Sequence, residues 1–246
     1  MEQFNEKQEF EVHVTIKSTD NIDPFIEICN NFVSYANNAN NANNLDNSNS
    51  HVFSCKPIII ELPVGVYQQQ PMCSMFVRST LKEAIKYGEL FAKYCQEAHN
   101  KYIVCRNKVE ARFRNVKNNT INLDLINNKE IYWEFHIKIL FEINDLIIND
   151  FRENLEKIFP SARLSRSALS HIEKRQSGET SRVITLRLYT GDKNNAQKEL
   201  DNLVQYLNKP DVQSKYSFKI RNHIEEELSV YDTNVFHDAG WIHMKQ

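Results

Sequence analysis

FEVHVTI at residues 10–16 and WEFHIKI at residues 133–139 are the two stretches on which the reading of this chain turns. In both, apolar side chains alternate with polar ones, the period-two pattern of a strand buried on one side. A glutamate precedes a histidine by two residues in each: Glu11 and His13 in the first, Glu134 and His136 in the second. Farther out, RNKVE at 106–110 matches RNHIE at 221–225, which pairs Arg106 with Arg221, Asn107 with Asn222 and Glu110 with Glu225. Arg78 in SMFVRST then takes the place of Arg187 in ITLRLYT. The three offsets are 123, 109 and 115 residues. The first change falls where the front half carries NNANNANNLDNSNS at 37–50, a polar tract read as a flexible inserted loop. The second falls near KPDVQS at 209–214, read as a loop before a strand. Such spacing identifies an internal duplication.

Each copy reads as strand, helix, strand, strand, helix, strand. In the first copy the strands fall at 9–17, 56–62, 72–78 and 102–112, with helices at 22–36 and 81–99. Asp20 or Asn21 is placed to cap the first helix and Thr80 the second. In the second copy strands fall at 132–140, near 162–166, at 182–189 and at 216–230, with helices at 145–159 and 193–208. That order is the ferredoxin-like motif, so the expected fold class is α+β, two tandem ferredoxin-like repeats with antiparallel sheets. The expected boundaries are 1–112 for the first repeat and 113–129 for a linker. The second repeat then takes 130–232 and a C-terminal tail 233–246.

Alternation assigns the faces. Phe10, Val12, Val14 and Ile16 must pack on the helices, as must Trp133, Phe135, Ile137 and Ile139. Glu11, His13 and Thr15 then point to the opposite face, with Arg78, Arg106, Lys108 and Glu110. Glu134, His136, Lys138, Thr185, Arg187, Arg221 and Glu225 do the same in the second copy. Asn107 and Asn222 fall on the helix side and need hydrogen-bond partners if buried. Two outcomes are open. Either each polar face is simply wet, as is usual for a sheet covered on one side, or the two faces confront each other around a polar cleft, which burying so many charges would mark as a site.

Composition narrows the chemistry. Thirty basic and 32 acidic side chains give a formal charge of −2, so no extended nucleic-acid surface is expected. Five glycines supply no G-x-G-x-x-G, no P-loop and no G-x-S-x-G, and H-E-x-x-H is absent. Five widely spaced cysteines without C-x-x-C point to a reducing compartment. The charged N-terminus lacks a signal-peptide core and no membrane span is present, so a cytoplasmic location is expected. No motif asks for a cofactor or a metal. His51 is read as solvated, His99 as a helix-end residue, and His171 as part of an exposed hairpin rich in turn residues, the alternative being a basic flap of Lys174, Arg175 and Arg182 over an anion. In the tail, Trp241 and Ile242 are read as pinning the segment near His237, Asp238 and His243.

His13-Val14-Thr15-Ile16 resembles the H-x-T-x motif of the two-histidine phosphoesterases, which are bilobal and metal-independent and act on cyclic phosphates or RNA-end phosphodiesters. The resemblance implies His13 and His136 as an acid–base pair. It implies Thr15 as a phosphate ligand, and Lys138 in the second copy, whose motif reads His136-Ile137-Lys138-Ile139. Arg78, Arg187, Arg106 and Arg221 would hold a small phosphate-bearing anion, with Glu11, Glu134, Glu110 and Glu225 as supporting carboxylates. Glu9-Phe10-Glu11-Val12-His13 is also similar to the E-x-E-x-K opening of the triphosphate-tunnel hydrolases, which would imply a metal-dependent phosphohydrolase. The remaining alternative is a non-catalytic ligand-binding or assembly module, in which the repeated charges brace the strands.

Overall fold

Strand β1 (Gln8–Ile16) buries Phe10, Val12, Val14 and Ile16 almost completely, each worth roughly 1.5–3 kcal/mol of transfer free energy. The computed structural model describes residues 4–19, 21–42, 51–99, 101–117, 131–142, 144–168 and 178–242. Over these the chain is α+β, with antiparallel strand pairs and five α-helices. No described helix is long and apolar enough to cross a membrane.

The chain divides into two units. The first comprises 1–59, 69–117 and 228–235, the second 60–68, 118–227 and 236–246. The boundaries expected from sequence were linear, whereas here 60–68 belongs with the second half and 228–235 with the first.

In the first unit, α1 (Asp23–Ala42), β2 (His51–Glu61), β3 (Gln69–Ser79), α2 (Leu81–Ala98) and β4 (Val104–Arg112) follow β1. β1 lies between β3 and β4, antiparallel to both, and β2 lies beside β3. Thr80 and Glu83 form a reciprocal capping box that starts α2. α2 packs on β1, β3 and β4, and α1 packs on α2 through Phe32 against Phe91, with ring centroids 5.0 Å apart, and Tyr35 stacked on Tyr94. Asn21 Oδ1 accepts the Asp23 N–H at the start of α1, while Asp20 lies outside the described residues. The insertion expected at 37–50 is partly helix, because α1 continues to Ala42. Asn37 explains the extension: its amide donates to the Val52 carbonyl and accepts the Val52 N–H, tying the helix to β2. Residues 43–50 lie outside the described part.

The second unit contains β5 (Tyr132–Glu142), α3 (Asp145–Ile158), β6 (Ala162–Ser167), β7 (Glu179–Leu188), α4 (Lys193–Leu207), α5 (Pro210–Tyr216) and most of β8 (Phe218–Asp232). β5 lies between β7 and β8, with β6 beside β7. Ile60 and Glu61, the last residues of β2, pair here with Ser167 and Arg166. The loop expected at 209–214 is instead the helix α5. Pro210 is preset for its first turn, Val212 and Tyr216 bury one face, and Ser217 ends it at φ +48°. Of the linker at 113–129, Phe113–Asn115 form a 3₁₀ turn that buries Phe113, and residues from 118 onward lie outside the described part. The tail is held by Trp241 and Ile242, which pack with Leu62 and Ile60.

Candidate functional site

In the first unit the central strand places Glu11 opposite Phe76 on β3 and Glu110 on β4, and His13 opposite Ser74 and Lys108. These side chains are not wet. Glu110 is 1% exposed, and Glu11 and Lys108 are each 7% exposed. Burial of this order requires partners, and they are present. His13 Nε2 lies 2.8 Å from Glu110 Oε2 and 3.5 Å from Glu11 Oε1. Lys108 Nζ lies 2.8 Å from Glu110 Oε1, and the Ser74 hydroxyl donates to Glu11 at 2.6 Å. Arg112 approaches Glu11 at 3.7 Å and lies over the Phe76 ring.

Arg106 turns away from this group. It forms a two-pronged pair with Asp232, Nε to Oδ1 at 3.0 Å and Nη2 to Oδ2 at 2.6 Å. Burial alone would raise the Asp232 carboxyl, but the Arg106 guanidinium, with the Asn234 N–H and the Lys108 charge, holds that group below its usual range. Thr15, opposite Arg106 in the ladder, is buried. Asn107 is buried as well; its amide reaches the Ile85 carbonyl at 3.5 Å, and the side chain of Asn222 lies outside the described part.

The second unit assembles a parallel group with different partners. His136 Nε2 lies 3.2 Å from Glu134 Oε1, and His136 Nδ1 lies 3.1 Å from the Thr185 hydroxyl. Arg187 Nε donates to Glu134 at 2.6 Å and its Nη2 to Asp238 at 2.7 Å, while its guanidinium lies over the Tyr132 ring at 4.3 Å. Burial works to lower the Arg187 pKa, and Glu134, Tyr132, Asp238 and Tyr189 together outweigh it, so it is raised. Lys138 pairs with Glu225 at 2.9 Å.

Two expected ligands fall outside these groups, since Arg78 and Arg221 are exposed. The correspondence of Arg78 with Arg187 is also corrected. Arg187 stands opposite Glu134, and the residue opposite Glu11 is Phe76, so Arg78 is displaced by two positions and faces Glu9. Alternation cannot detect a slip of two, which leaves every side chain on its original face. The structural counterparts are the hydroxyls Ser74, opposite His13, and Thr185, opposite His136. Asp232 and Asp238, the acids that neutralise Arg106 and Arg187, carry no motif. What could have flagged them was each arginine's need for a carboxylate once buried.

The other histidines divide. His51 is exposed. His99 caps α2 with its backbone N–H bonded to the Cys95 carbonyl, and its ring packs on Tyr102. His237 is buried and stacked on Tyr67 at 4.6 Å. His171, Lys174, Arg175 and His243 lie outside the described residues. Arg182 is not in a loop but in β7, 8% exposed. Among the described residues no cluster of three or more His, Cys, Asp or Glu is arranged to hold a metal ion.

No protein-family model matches the chain, and no curated protein matches it. Among solved structures it is similar to an unknown protein from Galdieria sulphuraria, 11% identical over 90% of this chain and 99% of that one, with a TM-score of 0.29. A dye-decolorizing peroxidase from Bacteroides thetaiotaomicron is 10% identical over 95% and 96% of the two chains, TM-score 0.30. Chlorite dismutase from Candidatus Nitrospira defluvii is 8% identical over 93% of each, TM-score 0.27.

Proposed function

We propose that the chain is a non-catalytic ligand-binding or assembly module, built from two tandem ferredoxin-like copies in which the repeated His, Glu and Arg residues act as internal braces. The observation that carries this reading is the satisfaction of those residues by one another. In each unit the histidine turns Nε2 to a carboxylate, and Arg106, Arg187, Lys108 and Lys138 each have a carboxylate partner. A cation already engaged in this way offers little to a substrate, and opening the pair would leave a buried charge uncompensated.

One observation favours a second reading, the metal-independent phosphodiesterase. His13 Nδ1 is buried without a hydrogen-bond partner among the described residues, while Glu110 holds Nε2. A carboxylate-oriented imidazole of this kind is the arrangement of a general base. One experiment separates the two readings: incubate wild type, His13→Ala and His136→Ala with 2′,3′-cyclic nucleotides and short 3′-cyclic-phosphate RNAs. The module reading expects no turnover from wild type and a lowered unfolding midpoint for His13→Ala. Hydrolysis by wild type that disappears in both variants would replace it with the phosphodiesterase.

A further inference from the structure

In the second unit, β6, β7, the start of α3 and the segment from Glu61 to Pro63 line a half-open cavity of about 320 Å³. Its polar lining includes Glu61, Asp145, Asn149 and three arginines, Arg152, Arg166 and Arg182. The arginines differ in how they are neutralised. Arg166 is bonded to Glu61, its partner in the strand ladder. Arg152 has a distant partner in Glu153 at 3.8 Å. Arg182 is more than nine-tenths buried, yet its Nη1 reaches only neutral acceptors, the Thr180 hydroxyl and the Ser181 carbonyl. Among the described residues no carboxylate is hydrogen-bonded to this buried guanidinium, although Asp145 and Glu61 lie near it, and a buried cation without a bonded countercharge is costly. Burial, and then the nearby Arg166 charge, push the Arg182 pKa down, more than the Asp145 and Glu61 carboxylates push it up.

Two guanidiniums stand here one step beyond the Ser165–Val183 ladder pair, with Arg152 as a third in the lining, against two carboxylates, Glu61, which is bonded to Arg166, and Asp145. Three arginines against two carboxylates leave the lining with a net positive charge. Leu62, Pro63, Ile148 and Leu164 add an apolar wall. The volume lies at the small end of the range for ligand pockets, enough for an oxyanion with a compact body. Guanidinium forks from adjacent strands suit the several equivalent oxygens of a phosphate, each able to accept a charge-assisted bond.

We infer that this cavity binds the phosphate group of a small phosphorylated molecule, with Arg182 and Arg166 as its ligands. The inference rests on the binding-module reading and adds to it a site and a ligand class. Anion binding to the folded state raises its melting temperature by mass action. The test is differential scanning fluorimetry of the full chain with inorganic phosphate and with phenyl phosphate, against chloride at matched ionic strength. Wild type and Arg221→Met, whose arginine is exposed, should show the same phosphate-dependent rise. Arg182→Met should lose the rise. Arg166→Met, altered at a less buried position, should bind phosphate at least tenfold more weakly by calorimetry. No rise in wild type, or an equal rise in wild type and Arg182→Met, would overturn the site. Those outcomes leave the module reading standing, whereas cyclic-phosphate hydrolysis lost in the histidine variants would end that reading whatever Arg182 does.

Discussion

Asp232→Asn tests whether the repeated charges brace the fold. In wild type the Asp232 side chain is fully buried and Arg106 is 4% exposed, joined by bonds of 3.0 and 2.6 Å. Asp232 Oδ1 also accepts the Asn234 N–H at 3.0 Å. Asparagine preserves the shape and can keep the oxygen that serves Asn234 and Arg106 Nε. Its NH₂ then faces Arg106 Nη2, donor against donor, and the guanidinium is left buried without its countercharge. Breaking a buried pair by removing one partner costs about 3–5 kcal/mol. Because one acceptor survives, the expected loss is near ~3 kcal/mol, or about 6–12 °C in melting temperature for a chain of this size. The measurement is the urea midpoint and melting temperature at pH 7. The folded-state pKa of Asp232 is lowered from 3.8, so its contribution is complete above about pH 4 and is lost as pH falls through the lower, folded-state value. The gap between wild type and variant should therefore hold from pH 8 to 5 and close below pH 4. Arg106→Met combined with Asp232→Leu should recover most of the loss, since an apolar pair needs no compensation. A single variant within about 0.5 kcal/mol of wild type at pH 7, a size usual for exposed pairs, would refute the bracing argument.

Gly88→Ala should destabilise by about 1–3 kcal/mol although alanine favours helix, because its Cβ would meet the Asn107 amide at 2.4 Å. Adding Asn107→Ala should restore much of the lost urea midpoint. Thr80→Ala removes the acceptor of the Glu83 N–H and should cost about 1 kcal/mol by the same measurement. Glu134→Gln takes one of two carboxylates from Arg187 and should lower stability by about 1.5–3 kcal/mol. A larger loss is expected for Glu134→Ala, and equal losses would count against an electrostatic role.

The parts of this fold legible in the sequence are those where period and burial coincide. Phe10, Val12, Val14 and Ile16, with Trp133, Phe135, Ile137 and Ile139, announce two central strands, and all eight are buried. Thr80 and Glu83 announce α2 by their spacing. Legibility fails where a tertiary contact decides a local matter. Asparagines disfavour helix interiors by competing for backbone hydrogen bonds, yet α1 runs through Asn37 because its amide is occupied by Val52. Pro210 and Asp211 read as a turn, yet the burial of Val212 and Tyr216 makes that segment a helix.

The candidate site shows a different limit. Matching letters between copies located Glu11, His13, Glu134 and His136 but misassigned Arg78, because an identical residue two positions away outscored an equivalent one. The element the copies share in space is a hydroxyl opposite each histidine, Ser74 and Thr185, and serine and threonine do not match as letters. Each histidine also keeps the glutamate two residues before it, at 3.5 Å in one unit and 3.2 Å in the other. Histidine, glutamate and hydroxyl therefore form the repeated physical unit, while the arginines are neutralised separately, Arg106 by Asp232 and Arg187 by Glu134 and Asp238. The hydroxyls too are bonded differently, Ser74 to Glu11 but Thr185 to His136, so each unit satisfies these side chains with its own set of partners.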